Sequence, residues 1–76
     1  MLTANHPGRE ANVKPGDRVV YAQAVPTLGE AVVWSNQHGQ TQFGRLSRFR
    51  LVRTDGRWHR PARILGVIVA AVTSLN

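Results

Sequence analysis

Apolar and polar positions along this 76-residue chain alternate in short runs and do not recur at helical spacing. Period-two alternation sends successive side chains to opposite faces of a strand, so the chain reads as β throughout. Residues 1–13 are polar, carry the turn signal His6-Pro7-Gly8, and read as a weakly structured lead-in. Lys14-Pro15-Gly16-Asp17 predicts a tight turn, in which Pro15 sets φ and Gly16 takes positive φ. A strand is predicted over about 18–24, a connector with Pro26 and Gly29 over 24–29, and a Val- and Trp-rich strand over Glu30–Ser35.

Asn36-Gln37-His38-Gly39 predicts a hairpin loop, with Gly39 free to take positive φ. The next strand starts at Gln40, passes Leu46 and continues toward Arg53. Within it Phe49 and Leu51 point one way, and Arg48, Arg50 and Val52 the other, as in a half-buried strand with a basic outer face. Asp55-Gly56, inside Thr54–Arg57, is a strong hairpin signal. Trp58–Ala62 reads as a short strand or loop. Ile64–Val72 is apolar on both faces and predicts a central or interface strand. The expected fold is all-β: one small domain over 14–76, of five or six short, mostly antiparallel strands in a partly open barrel or curved sheet. Trp34 belongs to its core, and Tyr21 could face either way.

At 42% hydrophobic residues the chain has enough apolar content to fold, yet its length leaves a small core. It has no cysteine, so neither a disulfide nor a thiolate metal site can help, and close packing or oligomerisation must. The net charge is +6 and uneven. Residues 45–63 hold Arg45, Arg48, Arg50, Arg53, Arg57, Arg60 and Arg63 against one acid, Asp55. That is seven minus one, +6, while the remaining three bases and three acids cancel. Arginine forks onto phosphate or carboxylate, so the cluster suits an anionic partner, either an acidic protein surface or nucleic acid. A solvated outer face on an edge strand explains the same charges without a partner. Trp58, flanked by Arg57 and His59, is a candidate surface contact, and a cap over the sheet end is the plainer alternative.

Other chemistry finds little support. His6, His38 and His59 lie in loops without metal-ligand spacing and read as solvated. Ser35, Ser47 and Ser74 are candidate nucleophiles, but Lys14, the sole lysine, sits in an exposed turn where it stays protonated. There is no Gly-x-Ser-x-Gly elbow, P-loop or dinucleotide glycine motif, so no cofactor and no small-molecule substrate are expected. Met1–Asn12 have no apolar signal region, and Ile64–Val72 is too short to cross a bilayer as a helix. The expectation is a cytoplasmic, non-membrane protein.

One resemblance joins these pieces. Gly8-Arg9-Glu10-Ala11-Asn12-Val13-Lys14-Pro15-Gly16-Asp17 resembles the Ser-Met-x-Pro-x-(apolar)-x-x-Gly-Asp box of the LexA-like and signal-peptidase-like Ser/Lys peptidases. Downstream, Asp17–Tyr21, Gly29–Trp34 and Thr41–Leu46 match that family's successive strands, and Ile64–Val72 matches its final one. The resemblance spans roughly residues 8–73. Gly8 stands at the position of the serine nucleophile and Gly44 at that of the lysine base. Arg9 and Ala11 replace the Met and Pro of the box. The resemblance implies a peptidase scaffold without its chemistry.

Three functions are therefore weighed. The first is a non-catalytic regulatory or interaction protein that binds a partner or itself. The family's domain dimerises, and the two-sided strand with Ile64, Val67, Ile68 and Val69 suits a homodimer. Only about 13 residues precede the domain, which excludes a helix-turn-helix and leaves a free-standing regulator of phage or plasmid type. The second is a small SH3-like or OB-like barrel that binds nucleic acid through Arg45, Arg48, Arg50, Arg53, Arg57, Trp58 and Arg60. The third, an active enzyme, is the weakest.

Overall fold

A computed structural model describes residues 1–73, so Ser74 lies outside the described residues. Seven strands form one antiparallel sheet: β1 (Leu2–Thr3), β2 (Arg18–Ala22), β3 (Ala31–Ser35), β4 (Thr41–Leu46), β5 (Val52–Thr54), β6 (Arg57–His59) and β7 (Arg63–Val72). Their order is β1-β2-β7-β3-β4-β5-β6, so the sheet is open. The all-β class and antiparallel pairing match the sequence expectation. No helix among the described residues is long and apolar enough to cross a membrane.

The final strand is inserted between β2 and β3, two strands that follow each other in the chain. Its C-terminal half pairs with β2, from Val67↔Ala22 to Val72↔Arg18, and its N-terminal half with β3, from Arg63↔Ser35 to Val67↔Val32. The register slips once on each side, which leaves Val69 unpaired against β2 and Leu65 unpaired against β3. Such bulges bend a strand and sharpen its twist. Gly66 lies between them, where a Cβ would meet the Ala22 carbonyl oxygen and the Tyr21 ring. The close approach of the two backbones therefore requires glycine.

Of the two roles expected for Ile64–Val72, a central or an interface strand, this placement is the central one. The edges of Ile64 and Val67 are taken by β3, and those of Val67 and Ile68 by β2. The β3 register stops at Val32↔Val67, so Ile68–Val72 pair on one side alone. There Val69 is 67% exposed and Val72 54%.

Both faces of the β3–β4 pair are covered by packed side chains. On one face Val33 and Phe43 meet Val19, Ala4, Ala11 and Val13. Three of these come from residues 1–13, which are an ordered strap and not a loose lead-in. Leu2 and Thr3 pair with β2, a 3₁₀ turn forms over Arg9–Ala11, and Gly8 bridges Val13. Apolar spacing in this segment is too irregular to predict an element, yet every apolar side chain except Met1 packs inward.

On the other face Trp34 packs with Val32, Leu46, Val52 and Ile64. The His59 ring lies 5.3 Å from the Trp34 ring, although β4 and β5 separate their strands. Side chains can meet across two intervening strands only if the sheet curls round them. The Trp34 indole N–H donates to the Thr54 hydroxyl (3.0 Å), which donates in turn to the Phe43 carbonyl (3.0 Å). This chain of bonds satisfies the polar atoms inside the curl.

A continuous strand from Gln40 to Arg53 does not form. It stops at Leu46 and turns through Arg48–Arg50, where Phe49 (φ 62) and Arg50 (φ 60) both adopt the left-handed region. The turn inverts the expected facing: Val52 is fully buried and Phe49 is 90% exposed. The Asp55-Gly56 hairpin forms as predicted, with positive φ at both residues (53 and 74).

Candidate functional site

The two positions that match the catalytic pair lie on opposite faces of β4. Gly8 sits in the strap, and a Cβ there would stand 2.5 Å from Phe43 Cβ. Gly44 follows Phe43 on β4 and faces the other way, so its Cβ would meet the Thr54 hydroxyl and stand 2.5 Å from the Arg53 carbonyl oxygen. Side chains at 8 and 44 would thus diverge and strike packed atoms, where a dyad has to converge on one reacting atom. Lys14 is exposed in the 14–17 turn. Ser35 ends β3 opposite Thr41, and the Ser47 hydroxyl donates to the Leu51 carbonyl (2.8 Å).

The arginines divide into three groups. Arg45, Arg53 and Trp58 are register partners across β4, β5 and β6 and share one face. Two of these bases serve the fold: Arg45 donates to the Gly29 carbonyl (2.7 Å), and the Arg53 guanidinium lies 4.9 Å over the Trp58 ring. Arg57 leaves β6 on the face opposite Trp58, beside His59 in the alternation. Arg48 and Arg50 flank Phe49 on the turn, and Arg60 with Arg63 stands at the Pro61 bend beside it. The predicted basic face along one strand is therefore corrected: the chain turns at 48–50 and spreads those charges around a corner.

Phe49 is the residue that sequence reasoning missed. Between two arginines in an alternating run it scores as a buried strand position. Only its left-handed backbone reveals otherwise, and phenylalanine gives no local signal for that conformation. It forms a ridge between two grooves. One, of about 520 Å³, is walled by Val25, Pro26, Pro61 and Ile64 and edged by Arg50, Arg60 and Arg63. The other, of about 540 Å³, is walled by Leu28, Leu51 and Trp58 and edged by Arg48.

Three of the chain's four acids, Glu10, Asp17 and Glu30, accept backbone N–H groups. The Glu10 carboxylate accepts the N–H groups of Asp55 (2.8 Å) and Gly56 (2.7 Å), and it lies 4.0 Å from the Arg53 Nε. Burial pushes its carboxyl up, but the Gly56, Asp55 and Glu10 N–H groups and the Arg9 charge together hold the pKa below the ordinary 4.5. Glu30 accepts from the Thr27 hydroxyl and N–H, which lower its pKa as well. Asp17 accepts from the Lys14 N–H within its own turn. Among the described residues the single ion pair is Glu10–Arg53.

His6 is not a solvated loop residue: its Nε2 bonds the Thr41 carbonyl (2.9 Å), and its ring meets Phe43 edge-on at 5.4 Å. His38 stays at the exposed tip of the β3–β4 hairpin, and His59 stacks on Trp34. No protein-family model, curated protein or solved structure matches this chain.

Proposed function

We propose that this chain is a non-catalytic interaction module, its LexA-like resemblance confined to the sequence pattern, that binds a protein partner through its arginine-rich end. The observation that carries this reading is the set of arginines at 48, 50, 60 and 63, which no acid among the described residues neutralises at ion-pair distance. Unpaired guanidinium groups around apolar walls are poised for a carboxylate-bearing surface. Self-association is part of the reading, since Val69 and Val72 lie exposed on the half of β7 that pairs on one side only. The test is binding to polyglutamate at low and high salt, with sedimentation across a dilution series for the homodimer. Retention at low salt that is lost when Arg48 and Arg50 become Gln supports the module. A strictly monomeric chain removes the homodimer.

A nucleic-acid partner is the second reading. Phe49 and Trp58, both exposed rings, stand among the arginines as a stacking platform would. A single-stranded oligonucleotide tests it, with log affinity falling against log salt by about 0.7 per phosphate neutralised.

A further inference from the structure

Phe49 carries two costs that the fold does not require. Its backbone adopts φ 62, a conformation that phenylalanine rarely takes, and its ring is 90% exposed. The turn closes through other atoms: Ser47 N–H donates to the Leu51 carbonyl (2.7 Å), and Leu51 N–H to the Arg48 carbonyl (3.3 Å). Neither bond uses an atom of Phe49. An outlier in backbone and burial together points to a role outside the fold.

We infer that Phe49 is the anchor of a docking site for an acidic protein segment bearing bulky apolar side chains, which straddles the Phe49 ridge and fills the grooves on either side. The inference rests on the interaction-module reading and names its partner. Charge complementarity selects the acid. Arg48 edges one groove and Arg50, Arg60 and Arg63 the other, and the chain's own carboxylates at 10, 17 and 30 are bonded to backbone N–H groups. Groove chemistry selects the apolar side chains. The walls are Leu28, Leu51, Val25 and Ile64. Beyond Ser47 and the edging arginines, a base edge would find little in such walls to bond. One of the two exposed rings is also engaged, since Arg53 covers Trp58. A leucine or phenylalanine side chain needs only the dry walls.

The experiment titrates the full chain with a fluorescein-labelled peptide of glutamates interrupted by two leucines. Three controls run beside it: leucines replaced by serine, glutamates replaced by glutamine, and an oligo-dT strand. Trp58 emission is read in parallel, because its ring walls one groove. The expected result is a Trp emission shift and an affinity for the Glu/Leu peptide at least about tenfold above each control. Phe49→Asn should weaken binding about tenfold without lowering the melting temperature, because asparagine tolerates the left-handed backbone. Arg50→Gln should weaken it in a salt-dependent way. If the serine peptide binds as well and Phe49→Asn changes nothing, docking at Phe49 is overturned while the anionic-partner reading stands. Preference for oligo-dT overturns both in favour of nucleic acid. Silence of every probe at low salt overturns both outright.

Discussion

At the scale of single residues, the chain spends small side chains where backbones meet and a large one where nothing meets it. Gly44 is the sharpest case of the first kind. A methyl group there would press on the Thr54 hydroxyl and the Arg53 carbonyl, atoms fixed by the β4–β5 ladder and by the Trp34–Thr54–Phe43 bonds. Gly44→Ala should therefore cost about 1–3 kcal/mol, read as a shift of the urea midpoint. Gly44→Lys should do worse and create no peptidase activity, even paired with Gly8→Ser, because the two side chains leave β4 on opposite faces. Thr54→Val keeps the shape but strands the buried Trp34 N–H, a loss of roughly 1–3 kcal/mol by the same assay. Phe49→Asn should have the opposite sign and gain up to about 1 kcal/mol by relieving the left-handed backbone. A fall in stability on that change would mean that the ring does serve the fold.

At the scale of elements, the strap and the β5–β6 hairpin hold each other through Glu10. The carboxylate meets two N–H groups of a turn whose residues both take positive φ, an arrangement that concentrates donors on one anion. The linkage follows from the direction of its shift. A carboxyl with a folded pKa below its unfolded value stabilises above the unfolded value, about 4.5, and that contribution is lost as pH falls through the folded pKa. Acid titration of the melting temperature should show a step below pH 4.5 that Glu10→Gln removes. An unchanged step in that variant would assign it elsewhere. Asp-Gly was legible as a hairpin because its turn chemistry is local. Its latch was not, since Glu10 lies 45 residues away from Asp55. The 48–50 turn is hidden for a related reason: alternation in Arg48-Phe49-Arg50 fits a strand, and its bend follows from where β4 and β5 must pair.

At the scale of the whole molecule, the fold depends on its two ends. Residues 1–13 cover Phe43 and Val33, and β7 separates β2 from β3. A chain lacking residues 1–13 would uncover one face of β4 and should lose cooperative unfolding, seen as a broad thermal transition with dye binding to exposed apolar surface. A sharp transition in that truncation would return the segment to the status of a loose lead-in. By itself the sequence determined the all-β class, the turns at 14–17 and 54–57, Trp34 as core, and a surplus of arginine near one end. Each of these is written in period-two alternation, turn residues or composition within a few neighbouring positions. Only the tertiary structure decided that the last strand enters between the second and third, that the strap seals a face, and which arginines are spent on Gly29 and Trp58. It also turned Phe49 outward. Those outcomes depend on pairings between segments far apart in the chain, and the closing of long-range contacts has no signature in the residues on either side.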